Sequence, residues 1–302
     1  MDYDVMIVGG SYAGISAGLQ LARARRKVLV IDAGQRRNRF AHRTHGFVGQ
    51  DGRAPGAVAN EAKAQLLAYP TVTWVSQAAI DAARHGEGLV VTTAQGQRYL
   101  GRRLVLATGV VDELPNIPGL AQRWGVGVFH CPYCHGYELG GQPVGVVAVT
   151  PLALHQALML PDWGPTTLFL NGAFEPDAEQ SQRLAQRGVT LERESVASIS
   201  GGADVTLASG RVVPLAGLFT QPRTRMASPL PAQLGCVFEQ GPMGAFIKVD
   251  AMGKTSEPGV FACGDAAVAA GNVAIAVGEG ARTGGAAHYS LMFGLGDGAA
   301  RD

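Results

Sequence analysis

Neither sign of charge prevails in this chain. Its 302 residues carry 25 Lys and Arg against 24 Asp and Glu, a formal net charge of +1. No basic patch with interleaved aromatics is present, so the charge pattern gives no reason to expect nucleic acid as a partner. The basic cluster Arg23, Arg25, Arg26 and Lys27 falls at the end of a predicted helix, where it complements the helix dipole. Cysteine is scarce as well: four residues, only two of them close together, which excludes the disulfide framework of a small secreted domain. No apolar run reaches the roughly 20 residues of a membrane-spanning helix. The nearest approach, Gly145 to Leu160, is interrupted by Pro151, His155 and Gln156. No signal-peptide pattern precedes the first strand, which starts within a few residues of Met1. The expectation is a cytoplasmic protein with no membrane partner.

What the chain has in quantity is glycine, 42 residues, and apolar side chains, 47% of the total. That balance fits an α/β protein with a large core and many tight turns, and the length fits about two domains. A βαβ pattern occurs twice. The first copy has an apolar strand at Val5 to Val8, the turn Gly9-Gly10-Ser11-Tyr12-Ala13-Gly14, a helix, and a strand Val28 to Ile31 followed by Asp32. Glycines there permit a tight turn and close helix packing, the helix N-terminus faces a pyrophosphate, and the carboxylate accepts from a ribose hydroxyl. The middle glycine of the usual signature is Ser11, so the match is G-x-S-x-x-G. We read this copy as a dinucleotide site.

The second copy has strand Val144 to Val149, a helix from about Pro151, and strand Thr167 to Leu170 followed by Asn171. Laid over the first, Gly9 falls on Ala148, Ser11 on Thr150, Gly14 on Ala153 and Asp32 on Asn171. The architecture persists, but the glycines and the acid are gone.

Between the copies lies Cys131-Pro132-Tyr133-Cys134-His135. A C-x-x-C pair in an α/β protein points to redox chemistry. Cys131 suits a helix N-cap and Pro132 the first helical position, which would lower a thiolate pKa at the positive helix end. Zinc held with His130 and His135, or haem attachment through C-x-x-C-H, are the rival readings. Adjacent ligands strain a tetrahedral site, and haem attachment needs an export route. No metal is expected. His135 is the candidate acid or base beside the thiols, with Glu138 three residues on to orient it from the same helix face; His130 is a weaker candidate. His45, in the loop 45–50, is expected near a flavin but without a catalytic role. Cys236 and Cys263 read as buried apolar cysteines.

Two later segments, Ala107-Thr108-Gly109 and Gly259 to Asp265, resemble the further cofactor segments of the two-dinucleotide-binding flavoproteins, and Asn272 to Gly285 resembles the helix that faces the flavin ring. With the dithiol, these segments resemble the low-molecular-weight thioredoxin reductases over nearly the whole chain. The resemblance implies FAD as cofactor and a homodimer. It implies cofactor contacts from Gly9, Gly10, Ser11, Tyr12, Ala13, Gly14, Asp32, Ala107, Thr108, Gly109, Gly264, Asp265, Val273 and Ala274. The expected fold class is therefore α/β: a Rossmann-like FAD domain, 1–113 and 244–302, with an inserted Rossmann-like second domain, 114–243, carrying the dithiol.

The chain departs from the reductases where they bind NADPH. Their second glycine fingerprint is replaced by Val147 to Ala153, and their basic run by Leu170-Asn171-Gly172. Cys-Pro-Tyr-Cys-His-Gly-Tyr-Glu with a lost NADPH site resembles one branch, the dithiol oxidases that close the disulfides of natural products such as gliotoxin, holomycin and romidepsin. That resemblance implies a small-molecule dithiol as substrate, oxidised through Cys131 and Cys134, with O2 reduced to H2O2. A reductase fed by NADPH or ferredoxin is the alternative, and a redox sensor without turnover a further one.

Overall fold

The structure, a computed structural model, describes residues 1–295. Its first element follows from simple alternation. In β1 (Tyr3–Val8), Val5 and Ile7 belong to one apolar cluster and Met6 and Val8 to another, and all four are buried. A strand covered on both faces belongs inside a parallel sheet. It pairs in parallel with β2 (Val28–Ile31) on one side and with Arg98–Leu106 on the other, Val5 lying opposite Val28 and Arg103. Val72–Val75 continues the sheet beyond β2, and Val260–Ala262 returns late in the chain to pair with Leu104 to Leu106. The antiparallel strands Gly88–Thr93 and Ala79–His85 bring the sheet to seven strands. The order of connection reverses between β1 and Arg98–Leu106, the position where open α/β sheets bind ligands.

The second βαβ pattern folds the same way on a smaller scale. Thr190–Glu192, Thr166–Phe169, Val144–Val147, Gly217–Phe219 and Val128–Phe129 lie in that order in a five-stranded sheet with every neighbour parallel. The helix expected from about Pro151 starts at Ala153 and runs to Met159. Among the described residues, no helix is long and apolar enough to cross a membrane.

The chain divides into two compact units. The first comprises Met1–Arg37, Gly56–Val111 and the chain from Thr224 onward; the second comprises Asn38–Pro55 and Asp112–Arg223. Three segments thus group differently from the expected boundaries: 38–55, 112–113 and 224–243. Residues 224–243 belong to the first unit because the short helix Leu230–Gln233 packs there. Leu230 is fully buried in that unit's core, and the Gln233 side chain accepts from the Ala82 amide and donates to the Ile80 carbonyl. Residues 38–55 belong to the second unit, which brings His45 to the same unit as the dithiol.

Truncating a fully buried leucine leaves a cavity as well as losing transfer free energy. Leu230→Ala is expected to lower the unfolding free energy by about 2–5 kcal/mol, measured by urea denaturation.

Candidate active site

Within the first unit, the chain turns from β1 into α1 (Tyr12–Arg23) through Gly9, Gly10 and Ser11. Gly9 has φ +105°, and a Cβ there would collide with the Ala107 carbonyl oxygen; a Cβ on Gly14 would collide with the Gly9 carbonyl oxygen. Both glycines are therefore required by backbone-to-backbone contact. The Gly10 amide donates to Asp32 Oδ1 at 3.1 Å, so the acid at the end of β2 also closes the turn. The amides of Ser11, Ala13 and Gly14 make no hydrogen bond among the described residues. Orphan amides at a helix N-terminus are what a phosphate needs. Thr108 Oγ1, next in the chain to Ala107, is buried with no partner among the described residues.

Further along, Gly264 has φ +68°, and its amide donates to Glu279 Oε2 at 3.2 Å. Asp265 Oδ2 accepts from Arg37 Nη1 at 3.0 Å. The C-terminal helix Val273–Phe293 is capped by Asn272, whose side chain accepts from the Ile275 amide at 2.9 Å. That cap leaves the amides of Val273 and Ala274 without an intrahelical acceptor. Unsatisfied donors at two helix starts, a buried orphan hydroxyl and an acid at the end of β2 fit a dinucleotide.

The second unit carries the thiols. Strand Val128–Phe129 leads through His130 to Cys131, which is disulfide-bonded to Cys134 with Cα atoms 5.3 Å apart. Both cysteines are partly exposed. Cys131 takes the N-cap position and Pro132 opens the helix, as expected, but that helix is one turn long, Pro132–His135. The Gly136 amide donates back to the Pro132 carbonyl at 2.7 Å, and Trp163 fills the space a Cβ on Gly136 would need.

The expected pairing of Glu138 with His135 is corrected by the contact Glu138 makes. Glu138 lies in the next turn, Tyr137–Leu139. Its Oε1 is instead 3.4 Å from Nδ1 of His45. The His135 ring stacks on Phe129, with centroids 4.4 Å apart and planes at 23°. Burial, and then the neighbouring His130 and His45, push its pKa down to about 4. His45 is thus a site residue whose neighbourhood the sequence did not disclose. The backbone before Cys131 is held by Gln156, a side chain only 2% exposed, whose Nε2 donates to the His130 carbonyl at 2.8 Å. Among the described residues, no three His, Cys, Asp or Glu side chains converge as a metal site would require.

The second nucleotide turn uses up two of the three donors that the first leaves open. Pro151, at the position of Tyr12, has no amide hydrogen. The Leu152 amide donates to Thr150 Oγ1 at 3.3 Å, and the Ala153 amide to the Thr150 carbonyl at 3.1 Å. Asn171, at the position of Asp32, has φ +49°, and its Oδ1 accepts from the Val196 amide at 2.9 Å. Arg193, just past strand Thr190–Glu192, is held by Glu175 Oε1 at 2.7 and 3.0 Å.

Gly14→Val is expected to yield protein with little or no bound dinucleotide, measured from the absorbance of the purified protein. His135 is expected to titrate near pH 4 in an NMR series. Because its charged form is disfavoured only in the folded state, folding stability should fall as pH drops from about 6.5 to about 4, and His135→Gln should lose that part of the acid sensitivity.

The family profile described as pyridine nucleotide-disulphide oxidoreductase matches residues 3–280. Thioredoxin reductase tcpT of Claviceps purpurea is 33% identical, covering 96% of this chain and 94% of its own. Among solved structures, the oxidoreductase from Agrobacterium tumefaciens is 55% identical with a TM-score of 0.95, covering 97% of this chain and 99% of that one. HlmI is 34% identical with a TM-score of 0.89, covering 96% and 92%. With the two Rossmann-like sheets and the disulfide, these matches establish that the chain belongs to the pyridine nucleotide-disulphide oxidoreductase family, among its thioredoxin reductase-like members.

Proposed function

We propose that this protein is an FAD-dependent dithiol oxidase that converts a small-molecule dithiol to its disulfide through Cys131 and Cys134, independently of NADPH. The observation that carries this reading is the contrast between the two nucleotide turns. In the first, the amides of Ser11, Ala13 and Gly14 remain available to a pyrophosphate; in the second, proline removes one donor and Thr150 takes two others. The ribose-binding position has likewise become a backbone clamp, Asn171 on Val196. A cofactor in the first unit and none in the second leaves the disulfide to receive electrons from a thiol substrate. The family resemblance supports a homodimer in the cytoplasm.

The cofactor would be held by the turn Gly9 to Gly14, Asp32, the segment Ala107 to Gly109, Gly264, Asp265, and the amides of Val273 and Ala274. The chemistry supplied by bound FAD is two-electron reoxidation of the reduced cysteine pair, with O2 as final acceptor and H2O2 as product. The protein's own part begins when a substrate thiolate attacks Cys131 Sγ. A bond forms between the two sulfurs, the Cys131–Cys134 bond breaks, and Cys134 leaves as a thiolate. The second substrate thiol then loses its proton and attacks the first substrate sulfur. The product disulfide departs, and Cys131 keeps the electron pair as a thiolate. The substrate loses two electrons and two protons, and the enzyme disulfide gains the two electrons.

The test is anaerobic absorbance of the flavin-loaded protein on adding NADPH, then a small dithiol, then air. Bleaching by dithiol but not by NADPH is expected, with recovery and peroxide on air. Rapid bleaching by NADPH would make the protein a reductase. Cys131→Ser and Cys134→Ser are each expected to abolish dithiol oxidation, and full turnover in either would refute the cysteine route.

A further inference from the structure

Resolution of the mixed disulfide needs a group to take the proton of the second substrate thiol, and two histidines of the second unit are candidates. His135 sits beside Cys134 in sequence, but its ring lies flat on Phe129 and its burial disfavours the charged form, so accepting a proton there is costly. The neighbouring His130 and His45 make that cost larger.

His45 has the opposite surroundings. Its Nδ1 faces two carboxylates, Glu138 Oε1 at 3.4 Å and Asp51 Oδ1 at 3.6 Å, and its side chain is only 17% exposed. Both partners are acceptors, so the ring hydrogen of neutral His45 belongs on Nδ1, leaving the Nε2 lone pair available. Nε2 makes no hydrogen bond among the described residues.

The loop that presents His45 is fixed by its own bonds. The Gly52 amide donates to the Thr44 carbonyl at 2.8 Å, and Arg43 donates to the Gly52 carbonyl at 2.8 Å. Asp51 Oδ1 accepts from the Gly46 amide at 2.8 Å, which points that carboxylate at the ring. Glu138 comes from the turn directly after the dithiol helix. A carboxylate that fixes the tautomer and orientation of an imidazole, with the far nitrogen free, is the arrangement that makes histidine a general base.

We propose that His45, oriented by Glu138 and Asp51, takes the proton of the second substrate thiol, the role the sequence assigns to His135. The inference rests on the dithiol oxidase reading. In the step, the substrate S–H bond breaks and its proton passes to His45 Nε2. The freed thiolate forms the product S–S bond, and the bond to Cys131 Sγ breaks with its electron pair retained by Cys131. Glu138 and Asp51 are positioning residues.

The experiment is single-turnover oxidation of one equivalent of dithiothreitol by the flavin-loaded protein without oxygen, followed as quenched cyclic disulfide. Its readout precedes any reaction with O2. If the native protein forms no product, the dithiol oxidase reading fails, whatever His45 does. Given native turnover, His45→Gly is expected to slow product formation about a hundredfold, with much of the loss restored by added imidazole. A rate within threefold of native overturns the proposal, as does a loss that imidazole leaves unchanged. Should His45→Gly not fold, the double variant Glu138→Gln, Asp51→Asn keeps the proposal exposed, since Asn still offers an oxygen to the Gly46 amide. That variant is expected to be roughly tenfold slower at an unchanged half-saturating dithiothreitol concentration, and a native rate in it overturns the positioning roles.

Discussion

The redox end of the second unit depends on the parallel pairing of Val144–Val147 with its neighbours. Parallel strands deliver all their carboxyl ends to one edge of a sheet, so the residues after each strand meet there without help from sequence proximity. His130 and Cys131 follow Val128–Phe129, Ala148 follows Val144–Val147, and Thr220 follows Gly217–Phe219. The edge is tied by bonds that leave little slack. The Thr220 amide donates to the Phe129 carbonyl at 2.9 Å, Thr220 Oγ1 donates to the Val147 carbonyl at 3.1 Å, and the Ala148 amide donates to the Phe169 carbonyl at 3.0 Å. Thr220 is fully buried, so its hydroxyl has no water to fall back on. A disulfide at this edge sits on a rigid base.

The same edge explains how one architecture supports opposite outcomes in the two units. Both place a turn after the central strand and an Asp or Asn after the next. In the first unit the side chain at that position, Asp32, reaches back to Gly10 and closes the turn. In the second, Asn171 in the left-handed region reaches forward to Val196 and takes no part in the turn. Thr150 then supplies the oxygens that a phosphate would have supplied. The two corners differ by only a few side chains on a shared plan of strand, turn and helix.

Much of this was legible in the sequence, for identifiable reasons. Gly9 and Gly14 could be read because the contacts they permit are with backbone, which does not depend on which side chains lie elsewhere. The alternating apolar residues of β1 and the all-apolar run of β2 announced a buried parallel sheet. Cys131 and Pro132 announced a helix start. What could not be read was whatever depended on distant chain or on where an element stops. Strand Ala79–His85 buries only Ala82 and carries no apolar alternation to mark it. The one-turn helix after Cys131 passes through Gly136 into the turn Tyr137–Leu139, where Glu138 meets His45, so the helical spacing that joined His135 to Glu138 on paper is not the pairing the structure makes. The pairing of Glu138 with His45 links two loops separated by a whole sheet of the other unit in sequence, and no local pattern encodes it. Leu230 and Gln233 assign their segment to the first unit for the same kind of reason.

Gln156 ties these histories together. It sits on the helix that, in the first unit, would begin at a phosphate, yet its side chain grips the backbone immediately before Cys131. The degenerate nucleotide corner has thereby become the mount of the disulfide. Through Gln156 the start of that helix and the hold on the redox loop are mechanically coupled. Glycines placed between Ala148 and Ala153 to build a nucleotide turn would free the start of that helix, and with it the anchor of the redox loop.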